Sequence, residues 1–93
     1  MLQDALCQAI NEVRRVEFIY QDIRCSVDPY ILYEDVDTGE ILLDGIQATR
    51  TSVLSTFRVA DITDVTLKGR FKPIVIDSGA PRYKKTICPF EVG

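Results

Sequence analysis

The stretch from Ala9 to Pro29 constrains the fold most, because its apolar period changes within a few residues. Leu2, Ala5, Leu6, Ala9, Ile10 and Val13 recur at spacings of three and four, which places them on one face of a helix. Asp4 near its start and Arg14 and Arg15 near its end suit the helix dipole, and the helix is expected to end around Arg14. From Val16 the period is two. Val16, Phe18 and Tyr20 alternate with Glu17 and Ile19, and β-branched and aromatic residues dominate, so this is a strand. Gln21-Asp22 makes a tight turn, and Ile23, Cys25 and Val27 alternate with Arg24, Ser26 and Asp28 along a half-buried return strand. Pro29 cannot donate to a ladder and predicts a bend or bulge. A short amphipathic helix thus feeds directly into a β-hairpin.

Downstream, Tyr30 to Tyr33 continues extended, and Glu34 to Gly39 is an acidic turn in which Gly39 is free to take positive φ. Glu40 to Ala48 predicts a third strand, apolar through Ile41, Leu42 and Leu43. Thr49 to Thr56 reads as a polar loop with Val53 and Leu54 tucked inward. Phe57-Arg58-Val59 is short and extended, and Asp61 to Leu67 is the last clear strand, with Phe71 to Asp77 able to form one more. Ser78-Gly79-Ala80-Pro81 breaks regular structure, and the chain then turns basic through Arg82, Lys84 and Lys85 and apolar from Ile87 to Val92. Several short strands with regular turns imply an all-β barrel or sandwich capped by a lone helix. The division expected is a barrel domain over residues 1–77 and an extension over 78–93, with the basic run around Tyr83 solvated and flexible.

A chain of 93 residues is one domain with a small core. No apolar run approaches the ~18 residues that cross a bilayer, so no membrane association is expected. No basic residue precedes the first apolar positions, as a signal peptide would require, and a cytoplasmic location is expected. The three cysteines, Cys7, Cys25 and Cys88, are odd in number and widely spaced, which favours reduced thiols over a disulfide framework. With no CxxC pair and no histidine, neither a metal nor another cofactor is expected. The missing histidine also removes the usual base for a serine or cysteine nucleophile, and no glycine-rich phosphate loop is present. The acidic turn pair Asp35 and Asp37 reads as solubilising. The chain is not expected to be an enzyme. Charge is uneven: residues 1–50 carry a net −6 and residues 51–93 a net +3. The basic half can face an anion, or the imbalance is ordinary surface variation.

The order of these pieces resembles the WYL domain. It comprises a helix carrying Ala-Ile-x-x-x-Arg-Arg-Val, a strand ending Phe-Ile-Tyr, a hairpin to Val-Asp-Pro-Tyr, the strand Ile-Leu-Leu-Asp-Gly, then Phe-Arg-Val-Ala-x-Ile-x-x-Val and a late Phe. The likeness covers roughly Leu2 to Phe71. It implies a mainly-β, SH3-like (Sm-like) barrel of about five strands with an N-terminal helix. WYL domains commonly follow a helix-turn-helix domain in bacterial transcription regulators and bind nucleic acid or nucleotide-like effectors, so the resemblance implies a non-enzymatic ligand sensor. The sequence departs from the family pattern twice. The Trp-Tyr-Leu strand reads Ile41-Leu42-Leu43, and the usual arginine before the isoleucine of the Phe-Arg-Val-Ala segment is Asp61, which reverses the charge on the family's ligand surface.

Five residues are candidates for binding a ligand. Arg24 lies on the polar face of the second strand, where it can face a ligand or pair with Glu17 across the hairpin. Arg58 follows the inward Phe57 and points out, matching the family's basic segment. Arg50 closes the third strand, where its planar fork can take two phosphate oxygens or remain solvated. Tyr20 and Tyr30 flank the hairpin and can stack on bases or pack into the core with the hydroxyl at the rim. Two functions follow. The first is a regulatory binding module for a nucleotide, nucleic acid or other small anion, in transcription or defence regulation. The second is a protein-interaction or homo-oligomerisation module acting through a sheet edge and the apolar C-terminal tail.

Overall fold

The computed structural model describes residues 2–47, 53–74 and 80–88. Helix α1 (Leu2–Glu12) buries Leu6, Ala9 and Ile10 and ends two residues before the expected position. Val13, read as part of its apolar face, instead leaves the helix with φ 57°. Its amide donates to the Ile10 carbonyl at 3.3 Å and its carbonyl accepts from the Phe71 amide at 3.1 Å. A left-handed backbone costs a β-branched residue ~1–2 kcal/mol, so these bonds hold a strained junction in place. Arg14 then opens β1 (Arg14–Tyr20) without a loop.

β1 pairs antiparallel with β2 (Ile23–Glu34), Phe18 opposite Cys25. Gln21 and Asp22 both take positive φ, 51° and 63°, as a two-residue hairpin turn requires. β2 runs on through Pro29, and the irregularity that proline implied sits between Pro29 and Ile31, where the register with β3 (Ile41–Gln47) shifts. β4 (Leu54–Arg58), a single 3₁₀ turn (Val59–Asp61) and β5 (Ile62–Arg70) complete the path β4-β3-β2-β1-β5. The architecture is the mainly-β barrel with an N-terminal helix that the sequence implied, with a sixth strand added, β6 (Lys85–Cys88). β1 covers β2 only from Ile23 to Val27. β3 fills the opposite edge at Leu32–Glu34, so β6 takes the stretch that β1 leaves open.

Alternation along β2 and β3 builds two cores on opposite faces of the same strands. The inner one joins Leu6, Ala9 and Ile10 of α1 to Val16, Phe18, Val27, Leu32, Leu43, Phe57, Val59 and Ile62. The outer one holds Tyr30, Ile31, Tyr33, Leu42 and Ile46, and the segment 80–88 closes it with Tyr83. Inside it lies Asp44, fully buried. Its Oδ1 accepts from the hydroxyls of Tyr33 (2.9 Å) and Thr56 (2.7 Å), and its Oδ2 from Tyr83 (2.6 Å).

Several expectations need correction. Arg82, Lys84 and Lys85 are solvated as expected, but Tyr83 between them is only 4% exposed, so this stretch is anchored. Cys88 on β6 reaches α1 and pairs with Cys7 in a disulfide, while Cys25 remains a half-buried thiol whose pKa burial raises. Val53 is exposed rather than tucked inward, and Leu54 opens a strand where the loop was expected to run on to Thr56. Phe71 to Ile74 is not a strand; the remainder of that expected strand, 75–77, lies outside the described residues.

Two outcomes test this packing. A Cβ placed on Gly45 would meet Val27 Cγ1 at 2.6 Å and the Asp28 carbonyl at 2.8 Å. Gly45→Ala is therefore expected to destabilise the fold by ~1–3 kcal/mol, read as a lower urea midpoint. The second outcome concerns pH. Burial, reinforced by Asp44, pushes Tyr33 up to about 12 from 10.0 and raises Tyr83 as well. Above pH 10.0 the unfolded chain releases protons that the folded chain keeps. Stability is expected to hold below that pH and to fall as pH rises towards about 12, with a smaller fall in Tyr83→Phe.

Candidate functional site

Arg58 is placed by the inner core. Phe57 is 3% exposed, so the next residue on β4 faces out. The Tyr20 ring stands edge-on to Phe57, with centroids 5.2 Å apart, and its hydroxyl accepts from the Arg58 amide at 3.2 Å. This bond joins the last residue of β1 to the last residue of β4. The chain then turns through Val59–Asp61, which brings the Asp61 carboxylate to 4.0 Å from the Arg58 guanidinium. Arg58 also donates to Glu40, just before β3.

These residues border a cleft of about 620 Å³ between the start of α1, the start of β3 and the 3₁₀ turn. Leu2, Ile41, Val59 and Ala60 give it an apolar lining, and Asp4, Glu40 and Arg58 supply the charges. That size is within the range of small-molecule sites. The charge is unusual: one arginine sits among three carboxylates, those of Asp4, Glu40 and Asp61. An anion entering here must take Arg58 from Glu40. An apolar or planar body meets no such competition.

Of the five candidate residues, the structure brings together Tyr20 and Arg58. Arg24 lies on the outer face of the hairpin, its side chain 66% exposed and 3.8 Å from Glu17, which is the cross-strand pair weighed for it. Tyr30 is 1% exposed. Its hydroxyl accepts from the Ile74 amide at 3.0 Å and its ring leans on Phe71, leaving no face open for stacking. Burial raises its pKa. Arg50 lies outside the described residues. Sequence reasoning missed Glu40, Ile41, Leu2 and Val59. Leu2 and Ile41 carried only core signals, and nothing in the pattern pairs Arg58 with a glutamate 18 positions away.

In a comparison with solved structures, this fold is similar to part of proteasome accessory factor B/C (PafBC) of Arthrobacter aurescens, with a TM-score of 0.67 at 20% sequence identity. The match covers 78% of this chain and 12% of that one, so this chain corresponds to a small part of that protein. At such identity the likeness is one of fold alone. No protein-family model and no curated protein matches the chain. Among the described residues, no helix is long and apolar enough to cross a membrane.

Proposed function

We propose that this protein is a non-enzymatic regulatory module of the WYL type, which binds a small ligand in the cleft beside Arg58. The observation that carries the reading is the position of Arg58. It is a surface arginine, fixed at its backbone by Tyr20, on the lip of an apolar-lined cleft of about 620 Å³. The fold shared with a segment of a proteasome accessory factor supports a role inside regulatory machinery. The ligand is a nucleotide or another small anion with an apolar or planar body. Its body rests on Leu2, Ile41, Val59 and Ala60, and its anionic group replaces Glu40 as the partner of Arg58.

In calorimetric titrations with mono- and oligonucleotides, Arg58→Ala is expected to weaken binding about tenfold or more. Glu40→Gln is expected to strengthen it, because the internal competitor loses its charge. Binding should weaken as salt rises. A native protein with no saturable, salt-sensitive binding to any of these ligands would exclude the reading.

A second reading, self-association or protein contact through the C-terminal segment, is favoured by β6. One edge of this strand pairs with β2, the other has no strand beside it among the described residues, and Ile87 is 40% exposed. It predicts a complex that Ile87→Lys dissociates in light scattering; a monomeric mass for the native chain at high concentration would count against self-association.

A further inference from the structure

We propose a second site, independent of the Arg58 cleft: a pocket for a phosphate-type oxyanion on the outer face of the barrel, at the bulge between β1 and β5. The register creates it. Arg14 pairs with Arg70 and Val16 with Leu67, so Lys68 and Gly69 both stand opposite Arg15 alone. Such a bulge bends its strand and re-aims the side chains beside it. Arg14 stabilises the distortion, its Nε donating to the Lys68 carbonyl at 2.8 Å. The result is a cleft of about 340 Å³ lined by Arg15, Glu17, Ser26, Lys68, Gly69 and Arg70.

Its chemistry suits an anion. Three cations and the Glu17 carboxylate line it, with the Asp28 carboxylate behind Arg15, on a chain whose net charge is −3. Arg15 is held in position by Asp28, to which its Nε and Nη2 donate at 2.6 and 3.2 Å, and Nη1 has no partner among the described residues. The pair also raises the arginine's pKa. Arg70 makes no ion pair within 4.0 Å among the described residues, though its charge reaches the Glu12 carboxylate and helps to lower its pKa. Lys68 stands 3.9 Å from Glu17, beyond hydrogen-bonding distance, and Arg24 reaches the same carboxylate only at 3.8 Å. Glu17 is thus a loosely held internal anion, set where an external one would be bound more closely. Ser26 adds a hydroxyl donor, and a Cβ built on Gly69 would meet nothing within 4 Å, so the backbone there is uncovered. A tetrahedral oxyanion can take charge-assisted bonds from Arg15, Lys68 and Arg70 together. The Arg58 cleft offers one cation already engaged by carboxylates.

The test is a titration of the full chain followed through backbone amide NMR shifts, with sodium phosphate, with a nucleoside monophosphate, and with sodium chloride at matched ionic strength. Saturable shifts at Arg15, Ser26 and Lys68 to Arg70 are expected with either phosphate source and not with chloride, separate from any nucleotide shifts around the Arg58 cleft. Tighter binding of the nucleotide than of free phosphate would identify an organic phosphate as the better ligand. The Lys68→Gln/Arg70→Gln pair should weaken binding about tenfold or more, and Glu17→Gln should tighten it. Arg58→Ala should change nothing here, so failure of this site and failure of the Arg58 cleft are read separately. Equal shifts with chloride, or affinity unmoved by the Lys68 and Arg70 substitutions, would overturn the proposal. If that double variant lost its folded spectrum, the absence of tightening in Glu17→Gln would overturn it alone.

Discussion

The buried carboxylate of Asp44 is the constraint around which the rest of the structure is arranged. An ionised group out of contact with water costs several kcal/mol unless hydrogen bonds replace its hydration. Asp44 lies on β3, and its three hydroxyl donors come from β2, from β4 and from the C-terminal segment. The Arg82 guanidinium approaches to 3.7 Å from the solvent side. Four separate stretches of chain must therefore be in register at once. A slip of one residue in β3 or β4 would turn Asp44 or Thr56 to the opposite face. The edge-on contact of Tyr33 and Tyr83, with centroids 4.9 Å apart, packs around the same carboxylate.

This arrangement gives the small barrel two dry faces. The inner core supports the N-terminal helix, and the outer one is closed by a segment that would otherwise hang free. The two proposed binding regions lie elsewhere, at the mouth where β4 turns into β5 and on the exposed side of the hairpin. Their charges differ in kind. At the mouth, carboxylates surround a single arginine. At the bulge, three cations outnumber the carboxylates of Glu17 and Asp28. The basic excess of residues 51–93 contributes Arg58 to the mouth and Lys68 and Arg70 to the bulge.

Most of the barrel was legible because its signals are local. The change of period at Val16, the Gln21-Asp22 turn and the proline in β2 each act over a few residues, and the structure places them as read. Helix α1 ran too long in the sequence because Val13 fits its apolar spacing; only the start of β1 pulls that residue into a left-handed turn. The tail was misread for another reason. Tyr83 and Cys88 sit in a basic, proline-broken stretch with no periodicity, and their partners, Asp44 and Cys7, are distant in sequence. The site was legible in part. Outward placement of Arg58 follows from alternation with Phe57, whereas Glu40 and the bulge at Lys68 arise from strand register, which no single segment encodes.

The bridge between Cys7 and Cys88 closes the stretch from α1 to β6 into a covalent ring. Tension applied between the two ends would pass through the sulfur bridge from α1 to β6 and bypass the strands entirely. The strands and the bulge cleft would keep their shape under a mechanical load that would otherwise peel β6 from β2, whereas Leu2 and Asp4, on the wall of the Arg58 cleft, precede Cys7 and would take the pull directly. Once the bridge is reduced, the same pull would act first on the pairing of β6 with β2, which joins three residue pairs among the described residues.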